Sequence, residues 1–109
     1  MTQPTTIDVV AVGNAIVDII GRCDDSFLQA HQCVKGSMNL VDPRRLTALY
    51  DAMGPAVEIS GGSAANTAVG VASYGGRAAF IGKVADDEFG RIFSHDIKAS
   101  GVAFHTSAV

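Results

Sequence analysis

The stretch Glu58-Ile-Ser-Gly-Gly-Ser-Ala-Ala-Asn-Thr-Ala-Val-Gly-Val-Ala-Ser-Tyr-Gly-Gly76 constrains the fold of this chain more than any other. Ala56, Val57 and Ile59 form a short apolar run that reads as a buried strand and ends at Gly61-Gly62. From Ser63 the residues are small and helix-compatible until Gly75-Gly76 stops them. A strand, a double glycine and a helix in succession turn the first backbone N–H groups of the helix toward open space. The glycines admit positive φ and let a ligand approach the main chain closely. Asn66 adds one amide side chain on the first turn. The combination points to a site for a polar small molecule, uncharged or anionic.

The remainder of the chain alternates strand and helix patterns. Met1 to Thr6 reads as a polar, frayed leader. Val9 to Val12 is a near-continuous β-branched run, the pattern of a central strand covered on both faces. Gly13-Asn14 interrupts it and Ala15 to Ile20 resumes an extended pattern. There Asn14, Ile16, Asp18 and Ile20 share one side, so Asn14 and Asp18 can flank one pocket. An aspartate amid isoleucines and valine is costly to bury without hydrogen bonds. A turn asparagine and an aspartate held by backbone amides is an equally good reading of this stretch.

Asp24-Asp25-Ser26 precedes a short helix at Phe27 to His31, and Val34 to Val41 alternates as a strand would. Asp42-Pro43 starts a helix, with aspartate as cap and proline in the first turn; Gly54-Pro55 ends it. Arg44-Arg45 reads as a solvated face at its start. Ala79, Phe80, Ile81 and Val84 mark a buried strand. Asp86-Asp87 caps a helix that carries Phe89, Ile92, Phe93 and Ile97 on one face and closes at Ser100-Gly101. Val102 to His105 begins a further strand. Such alternation predicts an α/β fold, doubly wound on a mostly parallel sheet, with ligands beyond the carboxyl ends of the strands. Gly13-Asn14 and Gly61-Gly62 both fall at such ends, so one crevice can collect Asn14, Asp18, Gly61, Gly62 and Asn66.

At 109 residues the chain is one domain at most. A hydrophobic content of 48% with 17% charged residues argues for a packed fold over a disordered one. The net charge of −3 with dispersed basic residues leaves no footprint for nucleic acid or an anionic membrane. The stretch from Ile7 to Ile20 is too short and too polar to span a bilayer, and no secretory signal precedes it. Cys23 and Cys33 lack metal-ligand spacing and read as reduced thiols of a cytoplasmic protein; no metal site is expected.

Familiar phosphate loops fail. No Gly-x-Gly-x-x-Gly follows the first strand, and around Gly82-Lys83 the spacing is wrong and Val84 has no hydroxyl for magnesium. Gly61-Gly62-Ser63-Ala64-Ala65 comes close to a nucleophile elbow. A serine hydrolase would then use Ser63 with Asp96 and His105, yet Ser63 also reads as an ordinary helix N-cap. A non-catalytic binding module is the third reading.

Gly61-Gly62-Ser63-Ala64-Ala65-Asn66-Thr67-Ala68, then Gly75, then Phe80 to Gly90 resembles the first signature of the ribokinase-like (PfkB) carbohydrate kinases. Val12-Gly13-Asn14-Ala15-Ile16-Val17-Asp18 resembles that family's first strand, and its Asn14–Asp18 spacing is closer to the adenosine-kinase branch. Lys35 to Asp42 resembles a segment of bacterial adenosine or sugar kinases in the family. Ala85 departs from the pattern, where the signature usually has glycine. The resemblance implies a ribokinase-like fold with a small β lid, its strands lying roughly within residues 16–60. It also implies that Asp18 and Asn14 bind vicinal hydroxyls of a sugar or nucleoside. Gly61, Gly62 and Ser63 would form the turn against which the sugar lies, and Asn66 would donate to and accept from an alcohol. The complete enzyme would use ATP and Mg²⁺ to phosphorylate a primary hydroxyl, with adenosine the first-choice substrate and a ribokinase- or fructokinase-type sugar the alternative. The family's later Gly-Ala-Gly-Asp segment, which carries the catalytic base and nucleotide site, has no counterpart here. Residues 1–109 therefore read as the substrate-binding N-terminal portion, without catalytic residues and inactive alone, and a homodimer stays open.

Overall fold

The computed structural model describes residues 6–109. The polar leader expected over Met1–Thr6 falls, save for Thr6, outside the described residues. The element order is β1 (Val9–Val12), β2 (Ile16–Gly21), α1 (Asp25–Ala30), α2 (Pro43–Ala52), β3 (Ala56–Gly61), α3 (Ser63–Ser73), β4 (Ala78–Ile81) and α4 (Glu88–Ala99). This is the mixed α/β architecture with a parallel sheet that the alternation predicts. Two compact units divide the chain, one comprising residues up to Asp18 together with Glu58–Val109, the other Ile19–Val57.

In the first unit β1 pairs in parallel with β4, Val9 opposite Ala78 and Val12 opposite Ile81. A reciprocal clamp fixes this register where the strands begin. The Asp8 N–H donates to the Arg77 carbonyl at 2.7 Å, and the Arg77 N–H returns a bond to Asp8 Oδ2 at 2.8 Å. The Arg77 guanidinium adds a bond to Asp8 Oδ1 at 3.2 Å. Bonds from the Arg77 side chain and then its backbone N–H hold the Asp8 carboxyl below its ordinary pKa. The carboxylate therefore supports the fold above the ordinary carboxylate range, and that support is lost as pH falls through the lowered value.

The core lies between this sheet, α3 and α4. Phe80, Phe93 and Phe104 are buried and mutually tilted, with ring centroids 5.5–6.0 Å apart. That spacing suits edge-to-face packing. Ile97, Val84, Val102, Ala65, Ala68 and Ala78 complete the cluster. Alanines on the inner face of α3 bring it close to β1: a Cβ at Gly13 would meet the Ala64 Cβ at 2.8 Å. Both α3 and α4 end in paired 6→1 and 5→2 backbone bonds around Gly75 and Gly101, each with φ +88°.

In the second unit α1 is capped by Asp24 and α2 by Asp42, with Pro43 in the first turn of α2, as their sequences predict. Gln32, at φ 56°, takes the left-handed position after α1. Arg45 is not on a solvated face. Its guanidinium donates to the His31 carbonyl at 2.7 Å and the Gln32 carbonyl at 3.2 Å, occupying acceptors that α1 leaves at its end.

Three strand expectations need correction. Val34–Val41 is irregular, because Gly36 turns at φ +76° and the Val34 carbonyl accepts both the N–H and hydroxyl of Ser37. Alternating residues with no paired strand beside them stay in solvent, and Leu40 is 97% exposed. Val102–His105 forms only a single bridge, Ala103 to Ala79. Val9–Val12 is a strand but not a covered one; Val12 is 71% exposed, since among the described residues β1 pairs only with β4.

Because Phe93 joins the other two rings to α4, Phe93→Ala should lower the unfolding free energy by about 3–5 kcal/mol in urea denaturation. A loss below about 1 kcal/mol would show that the aromatic cluster does not hold α4 to the sheet.

Candidate functional site

All the residues expected at the site lie in the first unit, around the segments that follow β1 and β3. Gly13-Asn14 follows the end of β1, and Gly61-Gly62 closes β3 and leads into α3. Gly61 is buried, and a Cβ there would run into the Asp18 carboxylate, Oδ2 foremost. The aspartate of β2 thus rests on the bare backbone of the turn. Gly62 takes φ +97°, ψ 143°, and a Cβ on it would meet the Asn14 carbonyl oxygen at 3.0 Å and Ile16 Cδ1 at 3.4 Å. Both glycines are required, the first by close approach and the second by conformation as well. The structure brings Asn14, Asp18, Gly61 and Gly62 together.

Asp18 and Asn14 are exposed. Among the described residues the Asp18 carboxylate has no hydrogen-bond partner, so it is not an aspartate held by backbone amides. It lies on the exposed face of β2 between Ile16 and Ile20, as alternation along the strand requires.

The start of α3 differs from that of the other helices. Asp24, Asp42 and Asp87 each accept a backbone N–H from the first turn of their helix, at 3.0, 2.8 and 2.8 Å. At α3 the cap is Gly62, which offers no side chain. Ser63 is the first helical residue and not the N-cap its type suggests, because the left-handed Gly62 takes that place. The Ser63 carbonyl accepts the Thr67 hydroxyl at 2.8 Å. The first N–H groups of α3 therefore lack the side-chain acceptor that an Asp or Ser cap would supply, beside an exposed carboxylate and amide.

Asn66 is exposed at the end of the first turn, its backbone N–H bonded to the Gly62 carbonyl at 2.8 Å. It lines a hollow of about 350 Å³ with Ile59, Ser60, Val69, Asp96, Ala99 and Ser100. Asp96 was singled out in the sequence only as a hydrolase acid. Its carboxylate instead accepts the Ser60 N–H at 2.9 Å. Among the described residues no hydrogen bond joins Ser63, Asp96 and His105, and His105 is exposed. Asp96 follows the buried Phe93 by three positions on an apolar helix face, and that spacing was the sequence signal for an inward carboxylate.

Ala85 leaves the neighbouring turn intact. It does not take positive φ, so glycine is not needed there, and Asp87 still caps α4.

A parallel α/β sheet with a glycine turn leading from a strand into an uncapped helix is the arrangement of a ribokinase-like α/β protein. A profile of the family described as pfkB family carbohydrate kinase matches residues 6–108, and the chain belongs to that family. Adenosine kinase from Sinorhizobium meliloti is 62% identical over 96% of this chain, with a TM-score of 0.77. A probable sugar kinase protein from Rhizobium etli CFN 42 is 57% identical over 97% of it, with a TM-score of 0.78. Each match covers 32% of the other chain. A fructokinase from Klebsiella pneumoniae is 49% identical over 49 residues, 45% of this chain and 16% of the relative. The chain thus spans about a third of the length of the solved structures it matches.

The contact of Asp18 with Gly61 predicts strong coupling. Gly61→Ala should destabilise the protein by about 1–3 kcal/mol through overpacking. Adding Asp18→Ala should recover most of that loss in denaturant titrations. Strictly additive effects of the two substitutions would show that the carboxylate does not sit on Gly61.

Proposed function

We propose that this chain is the substrate-binding portion of an ATP-dependent kinase that phosphorylates a primary hydroxyl of a ribosyl compound, with adenosine the first choice. The observation that carries this reading is the Asp18 carboxylate, exposed and unpartnered among the described residues, resting on Gly61 beside Asn14. A carboxylate accepts from two vicinal hydroxyls at once, and charge-assisted bonds of that kind are roughly twice as strong as neutral ones. The bare glycines allow the sugar ring to lie against the main chain. Ser63 and the first N–H groups of α3 border that surface, and the Asn66 amide can both donate to and accept from an alcohol. The second unit, Ile19–Val57, supplies most of the lid that the resemblance places within residues 16–60. Lids of this kind exclude water from phosphoryl transfer.

In this reading ATP and Mg²⁺ are not held by this chain. Among the described residues no three His, Cys, Asp or Glu side chains converge as metal ligands, and no phosphate loop is present. The chain's own part in the reaction is therefore to bind and orient the alcohol; the nucleotide, the magnesium and the catalytic base would be held by other segments of the complete enzyme.

Identity of 62% with an adenosine kinase supports adenosine as acceptor. Matches to fructokinases, at 49% for the Klebsiella protein, support a second reading in which the acceptor is a ketose. Phosphorylation rates of the complete protein with adenosine, ribose and fructose decide between them. We expect kcat/KM for adenosine to exceed that for either sugar by at least about tenfold, which is about 1.4 kcal/mol of discrimination. A preference for fructose would replace the adenosine reading with the ketose one, and no transfer to any of the three would overturn the kinase reading. Asp18→Ala and Asn66→Ala should each raise the acceptor KM by the equivalent of about 1.5–3 kcal/mol. Unchanged kinetics in both variants would remove the roles assigned to them.

A further inference from the structure

Ser60 is the residue immediately before the glycine turn, and its backbone N–H does not point at a strand. It donates to Asp96 Oδ2 at 2.9 Å, a bond that spans 36 positions and ties α4 to the end of β3. The Asp96 side chain is 31% exposed, and its second oxygen lies 3.8 Å from Nδ1 of His95, whose ring is 83% exposed. Ser60 and Asn66 line the same hollow as Asp96, with Ser100, Ile59 and Val69. The Asp18 carboxylate lies against the next residue, Gly61. Two carboxylates from different elements therefore grip consecutive residues, one at a backbone N–H and one at a bare Cα.

Asp96 itself is anchored. It lies on α4 between Phe93 and Ile97, both buried in the aromatic core, and α4 is capped by Asp87. A carboxylate held on a packed helix is a rigid acceptor, whereas Ser60 and Gly61 belong to a short strand that, among the described residues, pairs with β2 alone. An acceptor on the Ser60 N–H occupies a donor that a further strand would otherwise take, and fixes where the chain turns.

We propose that Asp96 is a positioning residue for the acceptor site: by holding the Ser60 N–H it sets the place of Gly61-Gly62, and so the surface on which the hydroxylated substrate lies. This inference rests on the kinase reading above and concerns a residue that does not touch the substrate. Loss of the bond leaves chemistry and nucleotide binding in place but loosens the turn. The cost falls on acceptor binding.

The test compares Asp96→Ala with Asp96→Asn in the complete protein, with two readouts. Asn keeps a carbonyl oxygen that can accept from Ser60, so it should preserve what Ala destroys. In Asp96→Ala we expect amide hydrogen exchange at Ser60 to speed up about tenfold or more, as befits loss of a hydrogen bond to a charged group. The acceptor KM should rise by a similar factor, with the ATP KM and kcat within about twofold of the parent. Asp96→Asn should sit near the parent in both readouts. Unchanged Ser60 exchange in Asp96→Ala overturns the proposal. So does an equal rise in both KM values, or an Asp96→Asn variant as impaired as Asp96→Ala, since either is the mark of general damage to the fold. If the parent protein transfers phosphate to no acceptor, the kinase reading fails by itself, and Ser60 exchange alone then decides whether Asp96 positions the turn.

Discussion

A carboxylate lying on a residue that has no side chain is the constraint from which the rest of this site follows. Asp18 reaches the main chain of β3 only because Gly61 is bare, and the Asn14 carbonyl approaches Gly62 only because that residue is bare and takes φ +97°. These two contacts bring the segment after β1 onto the turn before α3. They also explain why two glycines stand in succession where one would suffice for a simple turn: each accommodates a different neighbour.

The turn is held at a distance by the core. Phe80 of β4, Phe93 of α4 and Phe104 pack ring to ring, and Ile97 fills the next turn of α4. Interiors packed at crystal-like density transmit position with little slack. The aromatic cluster fixes α4, α4 presents Asp96, and Asp96 takes the N–H of Ser60. Alanines along α3 serve the same end, since small residues let the helix approach β1 closely enough for Gly13 and Ala64 to meet. Burial, helix anchoring and one hydrogen bond form a continuous physical path from the core to the glycine turn.

Much of this was legible in the residues, and the failures have physical causes. Asp-capped helices and the strand–glycine–helix unit were readable because their signals are local: a cap, a proline, a glycine pair, a helical period. The segment Val34–Val41 was misread because alternation states which side chains could share a face and says nothing of whether a partner strand exists. Gly36 and Ser37 built a turn there instead. Arg45 was misread for the same reason, as its acceptors at His31 and Gln32 are supplied by another helix end. Of the candidate site, the gathering of Asn14, Asp18, Gly61 and Gly62 was foreseeable from strand ends and period two. The bond of Asp96 to Ser60 was not, because a contact across 36 positions leaves no trace in local sequence beyond an acidic residue near an apolar face.

The uncapped start of α3 is the clearest departure from local rules in this part of the chain. Three helices of this chain take an aspartate cap, and exchanging such a cap for a residue with no acceptor typically costs from a few tenths to about 2 kcal/mol. At α3 a serine stands one position too late to serve, although moving it forward by one residue would supply the cap. Glycine at that place forgoes the acceptor, yet it is the residue whose conformation lets Asn14 and Ile16 close over the turn. Departures from local rules concentrate where a protein binds or reacts. Here the departure leaves backbone donors without a side-chain acceptor, next to the turn on which the exposed Asp18 carboxylate rests.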